Sequence, residues 1–212
     1  MNKGRFITLE GGEGVGKTSA LTVLAQTIRD RGIDLVVTRE PGGTPLGERL
    51  RELLLGSWNV CPEAELMMIF AARVQHVREV IGPALDAGRW VLSDRFVDAS
   101  YAYQGGGRLL PKEPIRMLEE LAIRDIQPDL TLLLDAPVEV GLQRVNHRGP
   151  LDRFESAGLG FLERVRAAYL QRAREFPDRI CVVDAGRPPE IVLGDLVTTL
   201  NDRFANDFGY CG

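Results

Sequence analysis

Gly11-Gly12-Glu13-Gly14-Val15-Gly16-Lys17-Thr18 directly follows the apolar run Phe6-Ile7-Thr8-Leu9. The pattern G-x-x-x-x-G-K-T between a strand and a helix describes a phosphate-binding turn. Glycines tolerate positive φ, so consecutive backbone N–H groups can curl around phosphate oxygens without Cβ clashes. Lys17 is then expected among the β- and γ-phosphates, and the Thr18 hydroxyl on Mg²⁺. The helix opening near Gly16 adds its positive N-terminal end. The stretch is read as a loop that binds a nucleoside triphosphate.

Working outward, Phe6–Glu10 reads as the first strand, and Lys17–Asp30 as a helix with Leu21, Leu24, Ala25 and Ile28 on one face. Leu35–Thr38, Trp90–Ser93, Leu130–Leu134 and Ile180–Val183 are further short apolar runs of the kind buried in parallel sheets. Thr44 and Pro45 open a helix reaching Leu54, and Glu63–Ala87 is a long helical pattern with a bend expected at Gly82-Pro83. Gln104-Gly105-Gly106-Gly107-Arg108 reads as a turn, Pro114–Asp125 as a helix, and Glu139–Arg148 as another. Phe161–Arg174 and Ile191–Phe204 are amphipathic helices. Strands alternating with helices predict an α/β architecture: a P-loop NTPase fold with a five-stranded parallel sheet and helices on both faces. Neither a repeat nor a linker divides residues 1–212, so a single domain is expected.

Composition excludes several classes. A net charge of −4 argues against bulk nucleic-acid binding. Lys3, Lys17 and Lys112 are the only lysines, so nearly all positive charge is arginine, the better planar clamp for phosphate. Cys61, Cys181 and Cys211 are odd in number and lack C-x-x-C spacing, which suggests neither disulfides nor zinc and fits a reducing cytoplasm. No apolar run approaches the length of a membrane span. His76 and His147 show no pairing for catalysis or metal and are expected at the surface or its boundary.

Charged residues stand at the carboxyl ends of the strands: Glu13–Lys17, Arg39-Glu40, Asp94-Arg95 and Asp135. Ligands of open α/β sheets bind beyond those ends, so the clusters suggest a site for two anionic substrates. A switch GTPase needs N-K-x-D and D-x-x-G segments, and neither is present. A motor ATPase needs a strand ending in Asp-Glu, but here the third strand ends Asp94-Arg95. A small-molecule kinase fits better than a nucleotide-binding regulatory module. No general base stands out, which suits a phosphate acceptor that is already anionic near neutral pH.

The chain resembles the bacterial thymidylate kinase family along nearly its whole length. The resemblance rests on Glu10–Thr18, Thr38-Arg-Glu-Pro-Gly-Gly-Thr44, Phe70-Ala-Ala-Arg73, Asp94-Arg-Phe, Ser100–Arg108 and Leu151-Asp-Arg153. It implies transfer of a phosphoryl group from ATP to dTMP with Mg²⁺. Phe70 is then expected to stack on thymine, with Arg73, Ser100 and Gln104 reading its edge and Tyr103 under the deoxyribose. Glu13 would reach the 3′-OH and the magnesium region. Arg95 would clamp the acceptor phosphate with help from Arg39 or Arg49, Glu40 is expected among the substrate-binding residues, and Asp94 would organise Mg²⁺. Gln143–Glu155 resembles a lid carrying Arg144, Arg148 and Arg153 to the phosphates, with Asn146 where some relatives have arginine. The resemblance also implies adenine near Ala185–Pro188, and a homodimer.

Overall fold

The computed structural model describes residues 4–56, 58–146, 153–154 and 158–208. Its strands are β1 Phe6–Gly11, β2 Leu35–Arg39, β3 Trp90–Asp94, β4 Leu130–Asp135 and β5 Ile180–Asp184. They form one parallel sheet in the order β2-β3-β1-β4-β5. In register, Leu9 faces Asp94, Arg39 faces Asp94, and Gly11 faces Leu134. The charged residues expected after the strands therefore finish side by side along one edge of the sheet.

The helices are α1 Lys17–Asp30, α2 Pro45–Leu55, α3 Pro62–His76, α4 Gly82–Asp86, α5 Val97–Ser100, α6 Lys112–Ile123, α7 Val138–Asn146, α8 Leu159–Glu175 and α9 Pro189–Arg203. Strand alternation divides the core. Ile7 and Leu9 turn to one face and pack with Leu24 and Ile28 of α1 and Leu196 and Leu200 of α9. Phe6 turns to the other face, with Phe70 of α3, Leu85 of α4 and Ile115 of α6. Farther along that second face, Leu133 packs with Phe161, Val165 and Tyr169 of α8.

Local details differ from the sequence pattern. A wide π-helical turn precedes Gly82-Pro83, and another takes the place of the turn at Gln104–Arg108. Val77–Ile81 forms the first, and Gly82 N–H donates to the Val77 carbonyl. This wider path accommodates Pro83, which has no N–H to give. Tyr101–Gly107 forms the second. Its glycines serve close packing: a Cβ at Gly106 would lie 2.6 Å from the Ala168 Cβ, and one at Gly107 2.4 Å from the Phe161 ring. The next helix starts at Lys112 rather than Pro114, and α7 is described to Asn146, leaving Arg148 outside the described residues.

α5 is fastened to α8 by a buried ion cluster. Asp98 accepts from Arg172 Nε at 2.9 Å and Arg179 Nη1 at 2.7 Å. Arg179 also donates to Thr131 Oγ1 at 2.7 Å, which joins Thr8 Oγ1 at 2.7 Å. Removing one member of a buried pair strands the other charge in a low dielectric. Asp98→Ala is expected to cost about 3–5 kcal/mol of unfolding free energy in urea melts; a loss under about 1 kcal/mol would mean water solvates the two arginines.

Candidate active site

The P-loop turns between β1 and α1 as its glycines dictate. Gly14 has φ 68° and sits so close to α7 that a Cβ would lie 2.0 Å from the Gly141 carbonyl oxygen. Gly16 occupies the left-handed region at the helix cap. Lys17 Nζ folds back to the Gly12 and Gly11 carbonyls at 2.6 and 3.1 Å. Burial, helped by the neighbouring Arg95 guanidinium, pulls the Lys17 ammonium below its ordinary value. Glu13, Gly14, Val15, Gly16, Lys17 and Thr18 line a cavity of about 560 Å³, while Gly11 and Gly12 border a smaller adjoining cleft.

Arg95 lines the same cavity. It follows β3 with φ 71°, a left-handed conformation costing about 1–2 kcal/mol in a non-glycine residue. Its backbone N–H donates to the Leu9 carbonyl at 2.9 Å, and Ser93 Oγ donates to its carbonyl at 2.7 Å. The guanidinium donates to Gly11 O at 3.0 Å, Tyr169 Oη at 3.1 Å and Glu13 Oε1 at 2.7 Å. At about 1 kcal/mol each, these bonds outweigh the strain. Tyr103 donates to the same Glu13 oxygen at 2.5 Å, and its ring lies under the Arg95 guanidinium at 4.8 Å. Beneath them Glu10 is fully buried, accepting from Phe96 N–H and Tyr169 O–H, both at 2.7 Å.

At the far end, Arg73 is buried and donates in three directions: Glu40 Oε2 at 2.7 Å, Ser100 Oγ at 2.9 Å and Phe96 O at 3.0 Å. Burial works against the charge on Glu40, yet Arg73 and His76 hold its carboxyl below the ordinary range. His76, expected near the surface, is fully buried, with Nδ1 2.9 Å from Glu40 Oε1 and Nε2 2.6 Å from Thr38 Oγ1. Glu40, Arg73, Ser100, Tyr103 and Gln104 all line the cavity. Phe70 does not: its ring packs in the core with the Arg73 guanidinium 4.5 Å above it, and Ile69 lines the cavity instead.

Of the arginines expected beside Arg95, Arg39 is exposed and paired with Glu48 at 2.8 Å, and Arg49 is exposed and paired with Glu52 at 3.0 Å. Neither lines the cavity. Arg51 does, and it donates to the Pro41 carbonyl at 3.0 Å. Helical rotation separates Arg49 and Arg51 by about 200°, a distinction visible only once the helix face is known. Arg144 lines the cavity and donates to the Ala185 carbonyl at 3.0 Å, in the loop expected near adenine. Arg153 turns elsewhere, to Glu65 and the Leu54 and Val60 carbonyls. Arg148 and His147 lie outside the described residues.

Asp94 lines the cavity with Thr18, and its Oδ1 is buried without a hydrogen-bond partner among the described residues. A hydrated magnesium ion would satisfy such an oxygen. No three His, Cys, Asp or Glu side chains gather into a metal cage among the described residues.

A P-loop and Arg95 share one cavity with a polar, arginine-based pocket, on a parallel sheet ordered β2-β3-β1-β4-β5. These define a kinase of the P-loop class acting on a small phosphorylated substrate. The thymidylate kinase family profile matches residues 9–196, so the chain belongs to the thymidylate kinase family. Its reaction is phosphorylation of dTMP to dTDP. A thymidylate kinase of Ectopseudomonas mendocina is 54% identical over 195 residues, covering 91% of this chain and 93% of the relative. That of Methylococcus capsulatus is 51% identical over 205 residues, covering 97% and 99%. The crystal structure of the Ehrlichia chaffeensis thymidylate kinase superposes with a TM-score of 0.78 at 31% identity, covering 94% and 99%. No helix of the described residues is long and apolar enough to cross a membrane.

Glu10 gives the site a measurable signature. Burial, reinforced by Asp98 and only partly offset by Arg95 and Tyr169, pushes its carboxyl up to about 8. In the unfolded chain it ionises near its ordinary value, so folding takes up a proton between the two values. The stability it contributes is full at low pH and is lost as pH rises through about 8. Glu10→Gln is expected to flatten the wild-type decline of urea unfolding free energy between pH about 5 and about 8. Identical slopes would show that Glu10 stays charged in the fold.

Proposed function

We propose that dTMP occupies the cavity with its base toward Arg73, Ser100 and Gln104, its sugar against Tyr103 and its phosphate on Arg95. ATP places its phosphates on the P-loop at Lys17 and Thr18. The observation that carries this reading is one continuous cavity joining the P-loop to the arginine-based pocket, with Arg95 between them. Lys17 and Arg95 now donate to P-loop carbonyls and Glu13, and phosphate oxygens are the natural replacements for those acceptors. Thr18 and Asp94, with Glu13 nearby, would hold Mg²⁺, which when bound neutralises charge on the donor phosphates. The dTMP phosphate has a second pKa of about 6 and needs no base to act as nucleophile. Positioning and charge neutralisation then supply the catalysis.

Arg73 and the Ser100 hydroxyl present donors to the base, matching the two carbonyls of thymine. Tyr103 is held by Glu13 at 2.5 Å, so its hydroxyl forms a fixed wall at the sugar. Arg144 is the lid-segment arginine among the described residues that lines the cavity, and it is assigned to the donor phosphates. Leu53, Met67, Met117 and Leu121 leave large apolar surfaces exposed on α2, α3 and α6, which supports a homodimer formed through these helices.

Three outcomes test the reading. With Mg-ATP, turnover is expected to favour dTMP over dCMP, dGMP, AMP and the ribose analogue of dTMP. Arg95→Ala is expected to lower kcat/KM for dTMP at least about 10³-fold, on the scale of losing a charge-stabilising donor. Mg-ATP affinity should stay within about threefold, and equal loss of ATP binding would remove Arg95 from the acceptor clamp. Light scattering should return twice the monomer mass of 23.4 kDa, falling to the monomer in Met117→Glu; a wild-type monomer would exclude the dimer.

A further inference from the structure

Glu65 of α3 is fully buried yet lies outside the set of cavity-lining residues. Its Oε1 accepts from Gln104 Nε2 at 2.9 Å. Arg108 donates to both of its oxygens, at 3.3 and 3.1 Å, and Arg153 donates to Oε2. A carboxylate flanked by two guanidinium groups is an acceptor only. A glutamine amide beside it has one compatible orientation, with the NH₂ toward the carboxylate. The opposite orientation would set two acceptor oxygens against each other in a buried site.

Gln104 is 1% exposed and lines the cavity, and among the described residues nothing donates to its Oε1. The amide therefore offers the cavity an acceptor. We propose that Glu65 is a positioning residue that fixes the orientation of the Gln104 amide, and thereby selects pyrimidines that carry an N3–H. This rests on the proposed base pocket. Arg73 already donates to Ser100 Oγ at 2.9 Å, so the serine proton is left for a ligand. The pocket then shows donors from Arg73 and Ser100 and an acceptor from Gln104. Thymine and uracil present the complement, two carbonyls flanking N3–H. Cytosine places a bare N3 where Gln104 offers oxygen, which repels it. Without Glu65 the amide is free to turn over, and discrimination at N3 is lost.

The test is kcat/KM for dTMP and for dCMP with Mg-ATP in wild type, Glu65→Gln, Gln104→Leu and the corresponding double variants. Glu65→Gln keeps the side-chain size and can donate to a turned Gln104 carbonyl. The dTMP-to-dCMP ratio is expected to fall about tenfold, the scale of one hydrogen bond. A ratio is internal to whatever fraction of the sample is folded, so a merely structural role would leave it unmoved. In the Gln104→Leu background, Glu65→Gln is expected to change nothing further. The exchange Glu65→Gln with Gln104→Glu returns an acceptor-only group to the cavity and is expected to restore preference for dTMP. An unchanged ratio in Glu65→Gln, an equal shift without Gln104, or no recovery in the exchange variant would each overturn the assignment. A wild type indifferent to the base, or Gln104→Leu with an unaltered ratio, would instead overturn the base pocket itself.

Discussion

Holding a guanidinium still beside the P-loop is the constraint on which this site depends. Arg95 meets it by being bonded at both backbone ends and at three places on its side chain. The left-handed backbone turns the residue out of β3 toward the P-loop, and the neighbouring strand β1 supplies its anchors. β1 gives Leu9 O and Gly11 O, and the Glu10 carboxyl holds Tyr169 for it from below. A lysine in this position would lack the planar fork that reaches a carbonyl, a phenol and a carboxylate together. Glu13 and Tyr103 then become intelligible as parts of the same support, because a guanidinium in a half-buried cleft needs an anion and an aromatic face nearby.

The Arg73 end of the cavity uses the same device with different chemistry. Arg73 is stiffened by Glu40, which is itself held by His76, which reaches Thr38 on β2. A chain of contacts from the sheet to the pocket thus fixes where the arginine's remaining N–H groups point. Phe70 contributes a flat surface under the guanidinium from within the core. Buried charge is costly unless every partner is satisfied, and this network satisfies its members with strand and helix groups that are already rigid.

Much of the fold was legible because its signals are local. Glycine spacing announces the P-loop, and short apolar runs announce strands buried on both faces. What was illegible depends on partners far along the chain. Gly105–Gly107 read as a turn because glycine propensity favours one, while Gly106 and Gly107 serve the close approach of α8. His76 sits among Val74, Gln75 and Val77, and nothing local marks it as the partner of Glu40. Arg49 and Arg51 differ by two residues and therefore by a helix face, so only the packed α2 separates a surface ion pair from a cavity cation. Arg153 carries no local sign that it faces Glu65.

Charge balance brings these pieces together. Among the described residues lining the cavity, Lys17, Arg51, Arg73, Arg95 and Arg144 face Glu13, Glu40 and Asp94, a surplus of two positive charges from five minus three. Glu40 and Arg73 largely cancel each other at 2.7 Å, so they lend little to the phosphates. A phosphomonoester alone carries about −1.5 to −2 near neutral pH, and a triphosphate adds more. The described cations therefore cannot neutralise both substrates. A divalent ion would supply part of the remainder, and the bare Asp94 oxygen, which lines the cavity with Thr18, is suited to one. A surplus of two charges comes close to matching one phosphomonoester and falls short of the pair, so a second anion has to bring its own counter-charge.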